Sequence, residues 1–121
     1  MSPCSVLVID DDPDVRESLK DAIEASGNFA VITAENGKVA LSVIEGGVEP
    51  HVILLDLQMP VMDGPTFHAE LRSRPRFGTT PVIVVSATAN RSDPVIRGSQ
   101  GFVPKPLHNL DDLITLIQHH C

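Results

Sequence analysis

The chain has 121 residues, 42% of them hydrophobic and 21% charged, which is the composition of one compact domain with a packed core and excludes a disordered or collagen-like chain. Nine Lys and Arg against sixteen Asp and Glu give a formal net charge of −7, which disfavours nonspecific binding to nucleic acid or to an anionic membrane, both of which need basic charge. With no Trp, no Tyr and four Phe there are no aromatic platforms for single-stranded bases, and the aliphatic runs are far too short to span a membrane.

Val6-Leu7-Val8-Ile9 is a continuous β-rich apolar run without alternation, the pattern of a strand covered on both faces in a parallel sheet. Asp10-Asp11-Asp12 follows it. Pro13 to Ser26 reads as a helix, with Asp12 as N-cap, Pro13 at the first helical position, Val15, Leu19, Ala22 and Ile23 on one face, and Gly27 as terminator. Ala30 to Thr33 is a weaker strand, and Lys38 to Ile44 a helix presenting Val39, Leu41 and Ile44. Val52 to Leu55 is a second strong strand ended by Asp56, and Pro65 to Arg72 a helix carrying Phe67 and Leu71. Val82 to Val85 repeats the strand pattern and is ended by Ser86. Asp93-Pro94 then reads as the cap and first position of a helix of one or two turns, stopped by Gly98. Phe102-Val103 is a weak fifth strand followed by Lys105. The last helix runs from Asn109 to His119, with Leu113, Ile114, Leu116 and Ile117 apolar and Asp111 and Asp112 complementing the first-turn amides.

Five strands alternating with helices predict a single doubly wound α/β domain over residues 1–121, with helices on both faces of a five-stranded parallel sheet and no output domain. Cys4 and Cys121 read as free thiols, because nothing else in the chain suggests an oxidising compartment. Met1 to Ser5 lacks the basic start of a signal peptide, so a cytoplasmic location is expected and Asn90-Arg91-Ser92 is a chance match to a glycosylation acceptor.

In open α/β sheets ligands bind beyond the carboxyl ends of the strands. That edge collects Asp10-Asp11-Asp12, Asp56, Ser86 and Lys105. In a flavodoxin-like order of 2-1-3-4-5 the first and third strands are neighbours, so Asp10 or Asp11 converges with Asp56. Two carboxylates about 5 Å apart repel by roughly 3 kcal/mol at an effective dielectric near 20, so such a cluster needs a cation or protons. Hard oxygen donors on an exposed edge suit hydrated Mg²⁺. Taken singly, each residue has a plainer account: Asp12 as a helix cap on a solvated loop, Lys105 as a surface lysine, Ser86 as a turn former. Gly37-Lys38 is no phosphate loop, because no Gly stands five before Gly37 and Val39 replaces the needed Ser or Thr. His119-His120-Cys121 reads as a frayed tail, and His51 and His68 lie outside the acidic edge.

Val8-Ile9-Asp10-Asp11-Asp12-Pro13, Leu54 through Gly64, Val85-Ser86-Ala87 and Phe102-Val103-Pro104-Lys105-Pro106 together resemble the response-regulator receiver domain of two-component phosphorelay signalling, over essentially the whole chain. The resemblance implies that Asp56 is the phosphoacceptor, taking a phosphoryl group from a histidine kinase or a histidine phosphotransfer protein. It implies Mg²⁺ held by Asp11, Asp56 and the main-chain carbonyl of Gln58, with Asp10 acting through water. Ser86 would hydrogen-bond a phosphoryl oxygen, Lys105 would offset its charge, and Phe102 would be the aromatic switch that follows Ser86. The Lys105-Pro106 bond is cis in this family.

One departure stands out: Ser86 and Phe102 are closer in sequence than receivers usually have them, which shortens the fourth helix. A short fourth helix removes part of a surface that many receivers use to dimerise, so a monomer acting on a heterologous protein target is expected. Two rivals remain. A phosphatase of the haloacid-dehalogenase type also uses an Asp nucleophile and Mg²⁺, but Gln58 stands where its second acid is needed; a constitutive interaction module would not need the set of Asp11, Asp56, Ser86 and Lys105.

Overall fold

The computed structural model describes residues 2–87, 94–107 and 110–121. Its elements in chain order are β1 (Cys4–Ile9), α1 (Pro13–Ser26), β2 (Phe29–Ala34), α2 (Gly37–Glu45), β3 (Val52–Leu55), α3 (Gly64–Arg72), β4 (Val82–Ser86), α4 (Pro94–Arg97), β5 (Gly101–Pro104) and α5 (Leu110–His119), with a 3-10 turn at Pro75–Phe77. The strands form one sheet in the order β2-β1-β3-β4-β5, and all four pairings are parallel.

The strands carry no alternation because both faces are covered, and their side chains divide into two layers. Leu7, Ile9, Ile53, Leu55, Val82 and Val84 point to the layer that holds Leu41 and Ile44 of α2, Phe67 and Leu71 of α3 and Val95 of α4. Val6, Val8, Val52, Leu54, Ile83 and Val85 point to the other, which holds Leu19 and Ile23 of α1 and Leu113 and Ile117 of α5. Phe77 closes the first layer at the 3-10 turn, which the sequence pattern did not reveal, and the Arg72 guanidinium donates to its carbonyl at 2.9 Å.

Helix starts follow local capping. The Asp12 carboxylate accepts from the amide of Asp14 at 2.9 Å, Asn36 from that of Val39 at 2.9 Å, and Asp63 from that of Thr66 at 2.8 Å. Because Asn36 and Asp63 are the caps, α2 and α3 each begin one residue earlier than the apolar periodicity suggests, at Gly37 and Gly64. The expected cap Asp93, the expected helix start Asn109 and the Asn90-Arg91-Ser92 triplet lie outside the described residues. Among the described residues α4 is a single turn of four residues, as the short spacing predicts.

The reading of Cys4 and Cys121 as free thiols is overturned, since they form a disulfide with Cα atoms 5.7 Å apart. The reason is topological. A helix after a parallel strand runs back along the sheet, so α5 ends at the amino edge where β1 begins.

His68 lies on α3 with its Nε2 buried and without a hydrogen-bond partner among the described residues. Burial, and after it the charge of Arg72, lowers its pKa below the ordinary 6.5. The folded state therefore favours the neutral ring, and stability present above about pH 6.5 is lost as pH falls toward the folded-state pKa. His68→Gln should flatten the decline in urea midpoint between about pH 7.5 and 5 relative to the native chain; parallel declines would place the titrating group elsewhere.

Candidate functional site

The register of the central strands builds the site. Ile9 pairs with Leu55, and the Asp56 amide donates to the Ile9 carbonyl at 3.0 Å, so Asp10 and Asp56 leave the sheet side by side. Ser86 pairs with Pro104, and the Lys105 amide donates to the Ser86 carbonyl at 3.1 Å, which brings the end of β5 to the same edge.

Asp10 and Asp56 are 2% and 6% exposed, whereas Asp11 is open to solvent. One carboxylate oxygen from each of the three lies within 4.8 Å of the others. The Lys105 ammonium reaches across this group, donating to Asp10 Oδ2 at 2.6 Å and to Asp56 Oδ2 at 3.1 Å. Burial holds the Asp10 carboxyl above the ordinary carboxylate range, with the Asp56 charge adding to it, against the opposing hydrogen bonds from Lys105 and the Asp12 amide. For Lys105, burial works to lower the pKa, but the hydrogen bond and charge of Asp10 and the charge of Asp56 outweigh it, so the ammonium lies above its ordinary value.

Main-chain donors fix the remaining carboxylate oxygens. The Asp12 amide donates to Asp10 Oδ1 at 3.0 Å and the Gln58 amide to Asp56 Oδ1 at 3.2 Å. Ser86 is 1% exposed, and its Oγ is buried without a hydrogen-bond partner among the described residues. A buried hydroxyl of this kind is suited to an incoming acceptor. Three carboxylates, all hard oxygen donors carrying more negative charge than one ammonium offsets, fit a divalent cation such as Mg²⁺.

The structure thus brings Asp10, Asp11, Asp56 and Lys105 together, with Ser86 joined to Lys105 through the backbone. Phe102 is half-buried on β5, packed against the first layer, and pairs with Val84. Asp12 keeps its plainer role as a cap. His51 belongs to the opposite edge, where its Nδ1 accepts from the Ser5 amide at 2.9 Å. The expected cis bond between Lys105 and Pro106 is present.

Two positions were missed by sequence reasoning. Arg16 donates from Nη1 to the Asp10 carbonyl at 2.8 Å, tying α1 to the acidic loop, and nothing in a lone arginine in a helical pattern announces that contact. Gly64, at the end of the Leu54 to Gly64 segment, is required by packing. A Cβ there would stand 2.6 Å from the Asp56 carbonyl oxygen and from Leu57 Cα, so only glycine lets the loop fold back over the end of β3. Within that loop Val61 is 76% exposed and has φ 71°, a strained conformation for a β-branched residue.

Residues 6–118 match the family model of the response regulator receiver domain. The chain is 35% identical over 124 residues to an uncharacterised 14.6 kDa protein in the sodA1 3′ region of Leptolyngbya boryana, covering 100% of this chain and 92% of that one. It is 33% identical to response regulator Rre1 of Synechocystis, covering 97% of this chain but only 51% of that protein. Among solved structures it resembles the chemotaxis protein CheY4 of Vibrio cholerae, with TM-score 0.88 and 25% identity over 99% of this chain and 100% of that one. It also resembles the Thermotoga maritima response regulator TrrA in complex with Mg²⁺ and BeF, with TM-score 0.85 and 29% identity over 100% of both chains.

Lys105→Ala would leave two buried carboxylates facing each other without their shared cation. The expected cost is about 2 to 3 kcal/mol, somewhat less than for a fully buried pair because the lysine keeps some contact with solvent. Millimolar Mg²⁺ should restore more stability to this variant than it adds to the native chain, which urea denaturation with and without the metal would measure. Equal metal effects in the two proteins would count against a shared site.

Proposed function

Because the chain belongs to the response-regulator receiver family over residues 6–118, we propose that it is a phosphoacceptor switch in which Asp56 takes a phosphoryl group from a phosphohistidine. The donor is a histidine kinase or a histidine phosphotransfer protein, and the site of action is the cytoplasm. The observation that carries this reading is the Lys105 ammonium held between Asp10 and Asp56 at the carboxyl edge of the sheet. It is a cation placed where a third negative group would arrive.

In the transfer step an oxygen of Asp56 attacks phosphorus, an O–P bond forms, and the N–P bond to the donor imidazole breaks. The product is an aspartyl phosphate and a free histidine. Phosphoryl transfer depends mainly on position and charge, so the residues needed are those that hold the nucleophile and neutralise the product. The Gln58 amide orients Asp56 through Oδ1. Lys105 moves its hydrogen bond from the Asp56 carboxylate to a phosphoryl oxygen, and the Ser86 hydroxyl donates to another. Mg²⁺, held by Asp11, Asp56 and the Gln58 carbonyl with Asp10 acting through water, would supply further charge for the phosphoryl oxygens. Withdrawal of Ser86 toward the phosphoryl group opens space for the Phe102 ring, which carries the change to the outer edge of the sheet.

The chain's product is a conformation, with no small-molecule turnover. A phosphatase of the haloacid-dehalogenase type is disfavoured because Gln58 cannot serve as the second acid that such enzymes place two residues beyond the nucleophile. The chain spans nearly all of the Leptolyngbya protein but about half or less of regulators such as Rre1. None of the activities of those longer proteins is carried over to this chain, whose downstream protein target is left unnamed.

Acetyl phosphate with Mg²⁺ should add one phosphoryl group by intact mass, and Asp56→Asn should abolish the addition. Undiminished labelling of the Asn variant would reject Asp56 as acceptor. With a fourth helix of one described turn, the activated protein should remain monomeric. Sedimentation with beryllofluoride and Mg²⁺ would test this, and a tight symmetric dimer would overturn it.

A further inference from the structure

The amino edge of the sheet, opposite the acidic site, carries a second piece of chemistry. Cys4 lies at the first position of β1, its amide donating to the Asn28 carbonyl at 3.0 Å, and it packs half-buried against the layer beneath α1 and α5. Cys121 follows α5 and is exposed. The two are bonded across 117 positions of sequence with Cα atoms 5.7 Å apart, inside the usual span of a disulfide.

We propose that Cys4 and Cys121 form a reversible thiol–disulfide exchange site, a clasp that closes under oxidising conditions and pins the end of α5 to β1. Three features favour exchange over a permanent bond. Cys121 is an exposed residue at the end of α5, and exposed disulfides are the labile ones. Cys121 Sγ lies 3.3 Å from the Ile117 carbonyl oxygen, an acceptor for the thiol that reduction creates, so both redox forms have a place in the fold. Leu113 and Ile117 are fully buried and hold α5 to the sheet without help, so opening the clasp leaves the domain folded.

The oxidant is a small disulfide of the glutathione class. The Cys121 thiolate attacks one of its sulfurs, forming a mixed disulfide and releasing one small thiolate. The Cys4 thiolate then displaces the second, so two protein thiols become one disulfide and the small disulfide is reduced to two thiols. Cys121 is the first to react because it is the exposed partner, and Cys4 resolves the intermediate.

The clasp closes a loop of nearly the whole chain, and long loops lose the most unfolded-state freedom when cross-linked. The melting temperature of the oxidised protein should therefore exceed that of the reduced protein by on the order of 10 °C. Amides of Gln118 to Cys121 should exchange faster after reduction, while Asp56 labelling stays unchanged because the site lies at the other edge. In glutathione buffers of graded poise, thiol titration should follow the reversible loss of two thiols per chain. Cys4→Ser should accumulate one glutathione adduct on Cys121, and both Cys4→Ser and Cys121→Ser should melt with the reduced native protein whatever the buffer. Two thiols that persist in oxidising buffer, oxidation solely to disulfide-linked dimers, or redox forms with equal melting temperatures would each overturn the proposal. The thiol titration, adduct mass and melting readouts do not depend on phosphorylation, so the failure of one reading leaves the other standing.

Discussion

One ammonium group between two buried carboxylates organises the carboxyl edge of this domain. Asp10 and Asp56 are forced together by the register of β1 against β3, and in the absence of a partner their repulsion would push the strand ends apart or force one of them to keep its proton. Lys105 answers this from the far side of the chain, 95 positions from Asp10 and 49 from Asp56. The contact also holds the loop after β5 over the ends of β1 and β3. A side chain that serves the local charge balance thus sets the position of a whole connection, and any change in charge at Asp56 is felt at β5 directly.

Legibility from sequence followed how local the cause was. The three apolar runs of β1, β3 and β4 could be read because burial on both faces leaves no room for alternation, and the acidic edge followed from where those runs end. The helices starting at Pro13 and Pro94 were legible from proline at the first turn. Gly37 and Gly64 were excluded from their helices by apolar periodicity, which weighs side chains and is blind to caps set by Asn36 and Asp63. Long-range pairings were harder. That Lys105 bridges two aspartates, that Arg16 reaches back to the Asp10 carbonyl, and that Cys4 meets Cys121 are facts of three-dimensional return paths.

The cysteines show why composition misled. Two cysteines at distant positions in an acidic chain, with nothing in its composition to suggest an oxidising compartment, argue for thiols on grounds of compartment, and that argument says nothing about distance. The parallel βα arrangement decides distance: each helix carries the chain back to the amino edge, so the end of α5 and the start of β1 arrive together. The same geometry accounts for the division of labour between the edges. Strand ends collect acids, a hydroxyl and a lysine on one side, while the returning helix brings sulfur to sulfur on the other.

The two-layered core has a further consequence for how perturbations combine. Ile53 and Leu54 are chain neighbours, yet one belongs to the layer of α2 and α3 and the other to that of α1 and α5, separated by the thickness of the sheet. Changes that share no packing partners add, whereas those within one packed group interact. Leu54 should therefore be energetically closer to Leu113, far away in sequence, than to the residue beside it. The sheet is a partition through which side chains do not speak to one another, and a signal that must pass from one face to the other has to be carried by the backbone or around its edge.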